Sequence, residues 1–171
     1  QEYSCDKALD MFERLNIIGF DVRDFYIKKV QTELSSLEVD DKESLLNRSL
    51  ALYDDESLLA EKSSLLWQYV DLTRYNDALR IGDSLRNVLP SVDFDICFVL
   101  IELSKSAESG KEKLSYLDNA ESKWSKLKLN IKGRYGKAQL RKILNSASFA
   151  CADVFESEKN IDEAVSVVSR I

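Results

Sequence analysis

Residues 69–90 read YVDLTRYNDALRIGDSLRNVLP, and this stretch decides how the rest of the chain is read. Tyr69 lies near the end of one apolar run. The turn-like group Tyr75-Asn76-Asp77-Ala78 opens a second run, and Pro90, the only proline, closes it. Ala78 and Leu85, seven residues on, lie two helical turns apart and so share one face. The small residue lets a neighbouring helix approach closely, and the branched one fills the layer beyond it. The same signature recurs outward from here. An acidic or amide residue, any residue and then alanine appear as Asp6-Lys7-Ala8, Asp118-Asn119-Ala120 and Asp162-Glu163-Ala164. The seventh residues after those alanines are Leu15, Leu127 and Ile171. Ala78 and Ala120 are 42 residues apart, Ala120 and Ala164 are 44 apart, and the 70 between Ala8 and Ala78 make two units of 35. Leu45, Leu46 and Leu50 supply a degenerate unit in that gap.

In this arrangement the chain resembles the tetratricopeptide-repeat family. There, a first helix carries a small residue and an aromatic, a turn of the type Tyr/Asn-Asp-x-Ala opens the second helix, and proline ends the unit. Leu59 to Pro90 supplies Tyr69, Tyr75-Asn76-Asp77-Ala78 and Pro90 in those places, and Asn145 to Ile171 supplies Ala152, Phe155 and Asn160-Ile161-Asp162-Glu163-Ala164. Leu66 stands where the family prefers Gly or Ala, Gly82 stands where it prefers an aromatic, and the unit around Ala120 has a lengthened first helix. The resemblance implies an all-α fold: a right-handed α-α superhelix of antiparallel helix hairpins, forming one repeat domain over residues 1–171, alone or within a longer chain. Ala8, Ala78, Ala120 and Ala164 would be its repeat-packing residues. An irregular all-α bundle in which Asp-x-Ala recurs by chance is the alternative.

Periodicity supports the helices independently. Apolar residues recur at i, i+3, i+4 and i+7 almost throughout, predicting about nine helices near 4–16, 21–37, 41–54, 56–70, 74–88, 92–108, 111–129, 135–157 and 160–171. Asp21, Asp41 and Ser91 or Asp93 are expected N-caps. Gly19, Pro90, Gly110 and the 133–136 stretch are expected stops. Forty-four per cent of residues are hydrophobic and 32% charged, a globular balance, and scarce glycine and proline argue against a turn-rich β-sandwich.

Composition also narrows the chemistry. The chain has no histidine, which removes the commonest general base, the Ser-His-Asp and Cys-His systems and imidazole metal sites. Cys5, Cys97 and Cys151 have no Cys-x-x-Cys spacing for zinc, and Cys97 and Cys151 sit in apolar helical runs as small hydrophobes. Asp40-Asp41, Asp54-Asp55-Glu56 and Asp93-Phe94-Asp95 read as caps and solvated turns before they read as paired catalytic carboxylates. Gly133-Arg134-Tyr135-Gly136-Lys137-Ala138 fails as a phosphate loop, because Ile131 replaces its first glycine and Ala138 its magnesium-binding hydroxyl. Asn47-Arg48-Ser49 is formally a glycosylation sequon within a predicted helix. Trp67, Tyr69, Phe98, Trp124 and Phe149 read mostly as core. No enzyme activity, metal or cofactor is expected.

The net charge of −6 opposes nucleic-acid binding, and no apolar run is long enough to span a bilayer. From Lys123 to Lys142, however, eight basic residues occur with no acidic one. Lys128, Lys132, Arg134, Lys137 and Arg141 are therefore the candidate partner-binding surface, for an acidic protein segment or an anionic envelope polymer; a merely solvated face is the alternative. The function expected is a non-catalytic protein–protein interaction scaffold with a protein or peptide partner. The competing reading is a helical subdomain of an exported envelope or polymer-associated protein. The Gln1 start without an initiator Met favours a removed secretory signal, hence a periplasmic or secreted location, over an arbitrary boundary. The final segment, with Ile161, Ala164, Val165, Val167, Val168 and Ile171, is apolar nearly all round and is expected to be covered by a second copy of the chain or by further residues, or to fold back on helix 135–157 alone.

Overall fold

A computed structural model describes residues 5–131 and 133–171; Lys132, residues 1–4 and the side chain of Cys5 lie outside them. The described residues form nine helices and no strand: α1 (Cys5–Ile17), α2 (Arg23–Leu34), α3 (Val39–Leu52), α4 (Glu56–Asp71), α5 (Tyr75–Leu85), α6 (Val92–Ser106), α7 (Gly110–Lys126), α8 (Lys137–Ser157) and α9 (Ile161–Val168). Each falls on a segment of helical apolar period. None is long and apolar enough to cross a membrane. The chain divides into two compact units, Gln1–Gln68 and Tyr69–Ile171.

In the first unit α1 packs on α2, and α2 on α3. Leu9, Tyr26, Val30, Leu46, Leu58 and Leu65 are buried at its core, each contributing roughly 1.5–3 kcal/mol through loss of apolar surface to water. Arg48 ties α3 to α1. Its Nε donates to Glu13 Oε1 at 2.7 Å and its Nη2 donates to Asp10. Tyr26 donates its hydroxyl to the same Glu13 oxygen at 3.3 Å, so the buried phenol is not orphaned. Asp55 caps α4, accepting from the Ser57 and Leu58 backbone N–H groups at 2.9 and 3.4 Å, while Arg23 reaches it from α2 at 3.1 Å. The Ser57 hydroxyl bond, with these others, holds its carboxyl below the ordinary aspartate range.

The expected caps are realised only in part. α3 begins at Val39, earlier than its pattern suggests, so Asp41 lies in the first turn, where a negative charge still favours the helix dipole. Ser91 stands at the N-cap position of α6 as expected but makes no side-chain cap bond, and Asp93 is inside the first turn. Asp21 lies before the α2 N-cap, Val22, and accepts only a long bond from the Arg23 N–H at 3.4 Å. Ser109 is a cap that the sequence reading missed; its hydroxyl accepts from the Glu112 N–H at 3.3 Å.

Gly19 ends α1 in the left-handed region, φ +94°. The Phe20 N–H donates to Leu15 O and the Gly19 N–H to Asn16 O, the paired bonds of a Schellman motif. Two further turns have this geometry without glycine, Thr73 at φ 58° and Lys159 at φ 60°. The Arg74 N–H donates to Tyr69 O at 2.9 Å and the Thr73 N–H to Val70 O at 2.9 Å; the Asn160 N–H donates to Phe155 O at 2.8 Å and the Lys159 N–H to Glu156 O at 3.0 Å. A β-branched residue in this region is strained. Thr73→Gly is therefore expected to raise stability by about 1 kcal/mol, read from the urea midpoint at unchanged slope; an unchanged or lower midpoint would contradict the assigned strain.

In the second unit α6 is the central helix and packs against α5, α7 and α8; α7 also packs on α8, and α8 on α9. Surrounded in this way, α6 is apolar around most of its circumference, as a buried helix must be: Phe94, Ile96, Cys97, Val99, Leu100 and Ile101 are all buried. Gly110 does not stop a helix but opens α7. The reason is close approach, since a Cβ there would stand 2.7 Å from the Phe155 ring of α8. The Gly110 N–H donates to Glu158 Oε1 at 3.0 Å, fixing the same junction. Phe149, expected in the core, is 50% exposed on α8. Tyr69 is fully buried, and Trp67, Phe98 and Trp124 are half-buried.

Candidate functional site

Ala78, Ala120 and Ala164 are buried, and Ala8 is half-buried. Ala8, Ala78 and Ala164 each stand three residues after the start of α1, α5 and α9, whereas Ala120 stands ten residues into α7. Ala120 is thus buried from the body of a long helix rather than from its first turn. There the Ala120 carbonyl accepts from the Cys97 thiol at 3.5 Å.

The basic stretch divides into cations that bind within the chain and cations left to solvent. Lys137 lies over the Trp124 ring, Nζ 4.7 Å from the centroid, and donates to Leu127 O at 2.7 Å. It thereby satisfies a carbonyl at the end of α7, where a positive charge is favoured. The Trp124 indole N–H in turn donates to Lys137 O at 2.9 Å. Arg141 lies 4.8 Å from the same ring and grips Glu121 with two bonds of 2.7 and 2.6 Å. This cation, aromatic and carboxylate cluster fastens α8 to α7. Two of the five proposed surface residues, Lys137 and Arg141, are consequently engaged inside the fold. Lys128 is exposed, Arg134 is exposed and has an interaction of its own, and Lys132 lies outside the described residues.

Loop 127–136, of which residues 127–131 and 133–136 are described, is seated by Gly133, where a Cβ would stand 2.5 Å from Phe94 Cβ. Only glycine allows the loop to lie this close to α6. Tyr135 stacks on Phe98 of α6 at 4.6 Å between centroids. Between this loop and the α5–α6 turn, residues 86–91, lies a cleft of about 200 Å³ lined by Arg86, Pro90, Asp93, Lys126, Lys128 and Ile131, with Phe94 and Leu127 beneath. Asp93 Oδ1 is shared by Arg86 Nε at 3.3 Å and Lys123 Nζ at 3.5 Å. Arg86 was invisible to the sequence reading because it lies outside the basic run. It reaches the cleft only because the α5–α6 turn brings it to the end of α7.

Other recesses are differently charged. In the first unit Asp6, Glu33, Asp41 and Arg48 line one of about 440 Å³, and Arg48 is committed there to Glu13 and Asp10. Among the described residues, no group of three or more His, Cys, Asp or Glu is placed to hold a metal ion. Burial pushes the Cys97 thiol up to about 12 and raises that of Cys151, so neither is a nucleophile near neutral pH. On α9, Ala164 and Val167 are buried while Ile161, Val165 and Val168 are exposed, as is Ile171 beyond its end.

Compared with models of known families, with curated proteins and with solved structures, the chain matches none.

Proposed function

We propose that the chain is a non-catalytic protein–protein interaction scaffold, built as a right-handed superhelix of tetratricopeptide-like hairpins. The observation that carries this reading is the equivalence of two turns 86 residues apart. Tyr69 and Phe155 are buried aromatics at the same offset, their carbonyls accept from Arg74 and Asn160, Thr73 and Lys159 take the same left-handed conformation, and Ala78 and Ala164 are buried nine residues after the aromatic. Repeated local geometry of this kind is what stacked units require, and stacking creates a long surface for a partner. The packing of α6 against α7, α8 and α5 supports the same reading, because each hairpin in such a stack touches the helices before and after it. Affinity purification followed by reconstitution from purified components tests the function. A binary complex with measurable heat of association supports it, and failure of every recovered protein to bind the purified chain overturns it.

The exposed stripe of α9 supports self-association as part of this function. Ile161, Val165 and Val168 follow one another at i, i+4 and i+7 on a single face, and Phe149 is exposed on the neighbouring α8. Sedimentation velocity is expected to show mass rising with concentration, and Val165→Ser with Val168→Ser is expected to return the chain to a monomer. A parent chain monomeric across the whole concentration range would defeat this part of the proposal.

A further inference from the structure

We infer that the cleft between the α5–α6 turn and loop 127–136 receives an acidic peptide segment with an apolar side chain between its carboxylates. The inference rests on the scaffold reading and names the chemistry of the partner at one place on it. Among the described residues, three cations, Arg86, Lys126 and Lys128, line the recess against a single carboxylate, Asp93, and that carboxylate already serves Arg86 and Lys123. Lys126 and Lys128 are exposed and have no carboxylate partner among the described residues. Elsewhere in the same unit several cations are matched, Arg141 by Glu121, Arg170 by Asp118 and Lys137 by the end of α7, while Lys111, Lys142 and Lys159 stand exposed and line no such recess. Residues 69–171 hold 16 Lys and Arg against 15 Asp and Glu, so the positive excess is local to this recess and not a property of the unit. A local excess around a concavity attracts a negatively charged segment and holds it in register.

The floor specifies the rest of the ligand. Pro90 and the half-buried Ile131 give the recess an apolar lining above Phe94 and Leu127, so a bare run of carboxylates would leave it unfilled. A peptide is favoured over a bilayer because the cations surround a hollow, into which a flat headgroup surface cannot enter. It is favoured over nucleic acid because the chain as a whole is negative and would repel a long polyanion.

The probe is a fluorescein-labelled Glu-Glu-Leu-Glu-Glu peptide, followed by anisotropy at low and physiological salt. The comparison peptides replace Glu by Gln or Leu by Ser. Binding is expected to weaken with salt, to weaken for both comparison peptides, and to fall roughly tenfold or more in Lys126→Glu/Lys128→Glu, where two attractive contacts become repulsive. Lys142→Glu, an exposed cation of the same basic run on α8, is expected to leave affinity within about twofold. Thermal melts of both variants should match the parent, since the altered groups are exposed. Equal losses in the two variants, no binding of the labelled peptide, or tighter binding of phosphatidylserine vesicles than of the peptide would each overturn the cleft assignment. A reconstituted partner complex that survives Lys126→Glu/Lys128→Glu unchanged overturns the cleft and leaves the scaffold reading standing.

Discussion

Ala78→Glu is expected to lower stability by about 3–5 kcal/mol, read as a fall in the urea midpoint and in the melting temperature. Ala78 is fully buried in the first turn of α5, so a glutamate there must displace its neighbours and carry a carboxylate into an apolar contact with no partner. Ala164→Glu should behave alike, because Ala164 is buried at the same position of α9. Ala8→Glu should cost about 1 kcal/mol or less, since the half-buried site lets a long side chain reach water. An Ala78→Glu chain melting like the parent would remove the tight helix approach on which the repeat proposal depends.

The second large effect belongs to Phe155. It is buried in α8, its ring lies against Gly110 of α7, and its carbonyl accepts the bond that closes the α8–α9 turn. Phe155→Ala is expected to cost about 3–5 kcal/mol, the usual result of deleting a buried aromatic ring whose surroundings relax only partly. Gly110→Ala alone is expected to cost about 1–3 kcal/mol, as the new methyl meets the ring at less than van der Waals distance. Combined, the two should cost clearly less than their sum, because removing the ring makes room for the methyl. Additive losses in a double-mutant cycle would show that α7 and α8 do not meet as tightly as the glycine implies.

The sequence carried the helices because their signal is local: an apolar stripe of period 3.6 is complete within each segment, and nine segments had it. It carried Ala78 and Ala164 for the same reason, each being tied to its own turn. It did not disclose that Thr73 and Lys159 would take the conformation usually given to glycine. That choice is imposed by the hydrogen bonds and buried aromatics flanking each turn, and neither residue type announces it. Gly110 was misread as a stop because glycine has two uses, ending a helix and permitting close approach, and only the ring of Phe155, 45 residues away, tells them apart. The basic run was visible as charge. Its division into Lys137 and Arg141 on Trp124, against Lys126 and Lys128 on a cleft, depended on where α7 ends and on Glu121, Asp93 and Arg86. None of these three residues lies in the run itself.

The two buried thiols have a consequence in time rather than in energy. Cys97 on α6 and Cys151 on α8 both donate to carbonyls of α7, those of Ala120 and Gly110. With its ionisation pushed up to about 12 by burial, Cys97 stays a protonated thiol at pH 8 while the fold is closed. Alkylation can then proceed at an appreciable rate only when α7 lifts away. One site meets the first residue of that helix and the other its body, ten residues on, so the labelling rate of each, followed peptide by peptide with iodoacetamide, clocks the opening of that part of it. Equal rates would mean that α7 is released as a whole, and faster labelling of Cys151 would show that its first turn frays before its body lifts.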